Sequence, residues 1–123
     1  MAQTHPQTSP EAVLTKAVLA AADYMAVKQT TLAKILGLST ASVSRMREGR
    51  YELKTHGKEW ELAGLFVRLF RGLDAIMAGD EQSLQSWMRN YNQALGETPI
   101  KLIPTITGLT KTLDYVDAYR ARV

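Results

Sequence analysis

Residues 29–48 read Gln-Thr-Thr-Leu-Ala-Lys-Ile-Leu-Gly-Leu-Ser-Thr-Ala-Ser-Val-Ser-Arg-Met-Arg-Glu, and this stretch decides the fold. Two short helices that cross steeply need a small residue at the crossing, and Ala33 supplies it. They need a turn residue that accepts positive φ, and Gly37 does so most readily. Leu32, Leu36, Leu38, Val43 and Met46 form their shared core, and Ser39 or Thr40 caps the second helix. These requirements met together predict a helix-turn-helix over residues 28–50.

The outer side of the second helix is expected to carry Thr40, Ser42, Ser44, Arg45 and Arg47. Short hydroxyls let a helix sit deep in a major groove, and arginine grips guanine or phosphate with two parallel hydrogen bonds. Lys28, Gln29 and Thr30 open the first helix, where amides and dipole favour a phosphate, and Arg50 and Lys54 flank the far side. Charge agrees. From Lys28 to Lys58, seven basic residues face two acidic ones, a local +5 within a chain of +3. A basic module in an otherwise mildly acidic chain points to double-stranded DNA.

The rest of the chain also reads as helix. Ser9-Pro10-Glu11 opens a segment to about Val27, with Val13, Leu14, Ala17, Val18, Ala21 and Met25 on one face. Residues 50–57 connect to a long helix over 58–78 that is apolar around most of its circumference. Such a helix must be buried on more than one side, and a second subunit is one source of cover. Trp60, Phe66, Val67 and Phe70 are the candidates for a homodimer contact, with Gly64 and Gly72 allowing close approach. Asp80 caps a helix over about 81–95, with Leu84, Trp87, Met88, Tyr91 and Leu95 inward. A short turn of helix follows Pro99. After Gly108 a last helix runs to about Ala121, with Leu109, Leu113, Val116 and Tyr119 on its buried side. The expected architecture is all-α: a tail at 1–9, a helix-turn-helix domain at 10–57, a connecting helix at 58–79 and a small helical domain at 80–123.

Several classes of function fit poorly. Hydrophobic residues make up 46% of the 123 residues and charged ones 22%, which suits a packed core rather than disorder. There is no cysteine, hence no disulfide or thiolate site, as is common in the cytoplasm. No apolar run is long enough to span a membrane. His5 and His56 lack neighbours at metal-ligand spacing, and no serine has a partnered base, so neither a metal site nor catalysis is expected. No segment has the glycine spacing of a phosphate loop, and no cofactor is expected.

A second pattern occupies the carboxy-terminal half. Trp87-Met88-Arg89-Asn90-Tyr91-Asn92-Gln93-Ala94-Leu95-Gly96-Glu97-Thr98-Pro99 is followed by Leu102-Ile103, Thr105 and Gly108-Leu109. It closes with Leu113-Asp114-Tyr115-Val116-Asp117-Ala118-Tyr119-Arg120. This resembles the toxin-binding domain of Xre/MbcA/ParS-type antitoxins, whose partners are RES-domain toxins. Glu97 departs from the pattern, standing where a second glycine is expected after Gly96. The resemblance implies an Xre/Cro-like helix-turn-helix protein that represses its own operon, dimerises and neutralises an NAD-consuming toxin. It also implies that the end of the chain reaches the toxin's active-site cleft. Carried onto this sequence, the contacts are Asp114, Asp117, Tyr119, Arg120, Arg122 and Val123. The arginines would either take up the surroundings of a phosphate-bearing dinucleotide or pair with toxin carboxylates. The competing readings are a stand-alone dimeric repressor, whose second half dimerises or binds an effector, and an adaptor without DNA contact.

Overall fold

A computed structural model describes residues 9–122, which form seven helices and no strand. They are α1 (Pro10–Tyr24), α2 (Gln29–Leu36), α3 (Thr40–Arg47), α4 (Lys58–Ile76), α5 (Glu81–Arg89), α6 (Pro99–Leu102) and α7 (Ile106–Arg122). The expected tail, apart from Ser9, and Val123 lie outside the described residues.

Local chemistry sets the helix ends. Ser9 Oγ accepts the Ala12 N–H at 3.1 Å, and Pro10 occupies the first position, where its missing N–H costs nothing. Gly37 ends α2 at φ +69°, and Ser39 Oγ accepts the Ser42 N–H at 3.0 Å to start α3. Asp80 caps α5 through the Ser83 N–H at 3.2 Å.

α4 is the shaft of the molecule. α7 packs along it most extensively, with α1 and α2 against its other sides. Ala63, Phe66 and Leu69 are fully buried, and Val67 and Leu73 nearly so. The apolar circumference that suggested a second subunit is therefore covered largely by the chain itself. Phe66 and Val67 face the internal core, and exposing a phenylalanine would cost ~2–3 kcal/mol. Phe70 is half-buried with its ring edge-on to Tyr24, centroids 5.3 Å apart. Trp60 lines an outer groove beside Val13 and Gly64, and Val67 reaches the edge of the same groove.

The connector between α3 and α4 is tied down. Leu53 is fully buried, and its N–H donates to Thr15 Oγ1 at 2.9 Å. Glu59 on α4 accepts from the Tyr51 hydroxyl at 2.7 Å and from the Lys54 N–H at 2.8 Å. No buried side-chain nitrogen or oxygen among the described residues lacks a partner.

Five expectations are corrected. Val13 is 53% exposed and Tyr91 64% exposed, so neither belongs to the core. α5 stops at Arg89, because Asn92 builds a competing turn: its carbonyl accepts the Gly96 N–H at 2.8 Å and its side chain the Leu95 N–H at 3.0 Å. Leu95 is still buried, but by that turn. Gly108 lies inside α7 rather than before it, and a β-carbon there would fall 1.9 Å from the Leu102 carbonyl oxygen. The two α4 glycines also differ: Gly72 faces Val116 closely, whereas Gly64 faces open space. Glu97 is compatible with its position, since the positive φ in that turn falls on Gly96.

Candidate functional site

α3 exposes a face set by its buried one. Val43 and Met46 point into the core, at 0% and 3% exposure. At 100° per residue the opposite direction belongs to Ala41, flanked by Thr40, Ser44, Arg45 and Glu48. Thr40, Ser44 and Arg45 were expected there, whereas Ala41, which carries no polar group, was not. Its methyl leaves room for close approach of a groove floor and suits a thymine methyl. Ser42 and Arg47 stand at the margins of this face.

The three arginines differ in their partners. Arg45 donates to the Ser42 hydroxyl at 3.0 Å and keeps its charge uncompensated. Arg47 makes a double contact with the Asp23 carboxylate on α1, the shorter bond 2.8 Å. Arg50 is paired with Glu48, two positions away. At the start of α2, Gln29 Nε2 donates to Ser44 Oγ at 2.5 Å and ties the first helix to the second. Lys28 and Thr30 are exposed there, and Lys28 makes no side-chain cap, leaving the first amides of α2 open to solvent or an anion. Gln29 thus sets the start of α2 beside Ser44, while Thr40, Ala41 and Arg45 lie along the outward face of α3. Arg47 and Arg50 sit at its edge, held by carboxylates. No sequence spacing signals the Arg47–Asp23 pair, which joins residues 24 apart.

Tyr51 sits behind this surface. Burial and then the Glu59 carboxylate push its phenol up to about 12, with Arg45 pulling the other way. It is a proton-bearing donor at any ordinary pH.

The other residues singled out lie on α7. Asp114 is exposed. Asp117 accepts from Arg68 on α4, so it pins α7 to the shaft. Arg120 lies over Gly72, with its Cδ 3.5 Å from where a β-carbon on that glycine would stand. Tyr119, expected on the buried side, is 45% exposed, and Arg122 is exposed. Val123 lies outside the described residues. Val116 is the last buried residue, so the end of α7 runs about 9 Å beyond the core. Tyr115, Tyr119 and Arg122 follow i, i+4, i+7 spacing and share one side of the helix.

No group of histidines, cysteines and carboxylates among the described residues could hold a metal ion. No described helix is long and apolar enough to cross a membrane.

Comparison with known proteins covers both halves of the chain. No curated protein matches the chain. Residues 5–68 match the antitoxin Xre-like helix-turn-helix domain, a span that includes α1, α2, α3 and the first half of α4. Residues 73–122 match the antitoxin Xre/MbcA/ParS carboxy-terminal toxin-binding domain, from the end of α4 through α7. Both are non-enzymatic binding modules. With the first match alone taking in more than half of its length, the chain belongs to the Xre-like helix-turn-helix antitoxins, carrying a DNA-binding module and a toxin-binding module on one helical shaft.

Proposed function

We propose that this antitoxin neutralises a RES-domain, NAD-consuming toxin by laying the end of α7 over its active site, and that two copies together repress their own promoter. The observation that carries the reading is the projecting terminal turn of α7. Buried apolar residues stop at Val116, and the helix continues with Tyr119, Arg120 and Arg122 exposed. A basic helical end that runs past the last buried residue, with Arg122 at its tip, is suited to enter a cleft that binds a phosphate-bearing dinucleotide, or to pair with carboxylates at its mouth.

On the operator, the outward face of α3 enters the major groove and the start of α2 meets phosphate. Two copies occupy two half-sites about one helical turn apart. Tyr119–Val123 is the segment to delete. Cells carrying both genes then lose protection, whereas unchanged protection refutes the mechanism. Promoter binding is measured by fluorescence anisotropy over a range of salt. Affinity falls steeply with salt if the face grips phosphates, and a flat response removes the DNA half of the reading.

A further inference from the structure

The toxin-binding module has a second feature besides the end of α7. The carboxy-terminal turn of α4, the last turn of α5 and the outer side of α7 enclose a hollow of about 330 Å³. Met77, Trp87, Tyr115 and Tyr119 form its walls, over a floor of Leu73 and Val116. Trp87 and Tyr115 lie nearly parallel, 17° apart with centroids at 6.5 Å, and make one flat wall. No charged residue lines it. Across the Met77–Trp87 rim the surface turns polar, with Asp80, Ser83, Ser86 and Asn90 beside the exposed Tyr91.

This is the anatomy of a protein interface: an aromatic, uncharged centre within a polar rim. Aromatic anchors in such centres carry most of the affinity of protein complexes. The size is at the lower end of the range for small-molecule sites and suits one or two inserted side chains. The occupant follows from position. Every residue of the hollow lies within the segment matched as toxin-binding, and Tyr119 joins the hollow to the projecting end of α7. The groove on the opposite side, beside Trp60, is lined instead by Arg68, Arg71 and Arg120.

We infer that the toxin inserts an aliphatic or aromatic side chain into the hollow walled by Met77, Trp87, Tyr115 and Tyr119, and that this anchor places the end of α7. The Tyr115–Tyr119–Arg122 side of α7 then faces the toxin, and Arg120, turned to Gly72, does not. The inference rests on the toxin-neutralising reading and assigns its docking surface.

The test uses the full chain and the catalytically inactivated product of its neighbouring toxin gene. In a Trp60→Phe variant grown with 5-fluorotryptophan, Trp87 gives a single fluorine resonance. Toxin binding moves that resonance. Met77→Lys, checked by thermal melting and operator binding, weakens the complex at least about tenfold, or about 1.4 kcal/mol. Val13→Lys, on the opposite groove, changes it less than about twofold. Ile76→Gln, on the same rim, serves if Met77→Lys does not fold, with the same weakening expected. A tight complex with an unmoved Trp87 resonance and unaffected rim variants overturns the hollow as docking surface and leaves the antitoxin reading standing. Failure of the unmodified chain to bind the toxin overturns both.

Discussion

Substituting alanine at three helical glycines separates three degrees of crowding within one fold. At Gly108 a β-carbon would meet the Leu102 carbonyl oxygen at 1.9 Å, its carbonyl carbon at 2.6 Å and Thr105 Oγ1 at 2.8 Å. Carbon and oxygen ordinarily approach to ~3.3–3.6 Å, so the α6–α7 corner must open by roughly 1.4 Å or more. Overpacking costs ~1–3 kcal/mol where side chains can yield, and here the obstacle is backbone. The Gly108 N–H to Thr105 Oγ1 bond, 3.0 Å long, is strained as well and is worth ~1 kcal/mol. Against this, alanine gains ~0.8–1 kcal/mol over glycine within a helix. The net loss is ~2 kcal/mol or more, a fall in melting temperature of ~6–12 °C for a chain of this size. At Gly64 nothing lies within 4 Å, so only the helix gain remains and melting rises by ~3–5 °C. Gly72 falls between, since its β-carbon would meet Val116 Cγ1 at 2.8 Å, a side chain stiff at χ1 but not backbone. Circular-dichroism melts and urea titrations of the three variants give the order. A Gly108→Ala protein as stable as the parent refutes the close corner. A Gly64→Ala protein that is destabilised shows that this face is covered by another copy.

Four further outcomes are expected. Arg45→Ala weakens operator binding by ~1–3 kcal/mol and relaxes the preference at one base pair, whereas Arg50→Ala, already paired with Glu48, costs much less; anisotropy titrations against a base-substituted operator series compare them. Arg122→Ala weakens the toxin complex more than Arg120→Ala, as calorimetric titration reads directly. Arg68→Ala lowers stability by under ~1 kcal/mol, because the guanidinium that meets Asp117 is 61% exposed, and urea midpoints check this. Finally, the Tyr51 phenol loses its proton later in the folded chain than in the unfolded one, so its contribution to stability is intact below pH 10 and is lost as pH rises toward 12. The difference titration at 295 nm between the parent and Tyr51→Phe isolates that late step.

The helix-turn-helix was legible because its constraints are local. Gly37, Ser39 and the Val43–Met46 spacing each fix one dihedral, one cap or one face within a few residues. The outward face of α3 was less legible, since polar side chains carry the signal of such a face and Ala41, at its centre, has none. What escaped the sequence depends on partners far along the chain. Arg47 reads as a DNA contact until α1 places Asp23 beside it. The apolar girth of α4 signalled burial correctly, but whether α7 or another subunit provides it is a matter of tertiary packing. Gly108 illustrates an ambiguity: a glycine before an apolar run looks like a stop, yet here it permits backbone contact inside a helix. The hollow beside Trp87 was hidden for a related reason. Trp87 reads as a core residue of its own helix and Tyr115 carries no signal of its own, and only the tertiary fold makes them one wall.

The undivided α4 has a consequence for gene control. Its 19 residues span roughly 28 Å, close to the distance of about 34 Å that separates adjacent half-sites. A toxin held at one end of this shaft is carried at a fixed height and bearing above the operator, with no hinge to swing it aside. Whether two loaded chains fit side by side is then decided by the girth of the cargo. Under the proposed function, repression would then respond to crowding on the duplex, and the ratio of toxin to antitoxin would be read as a question of room.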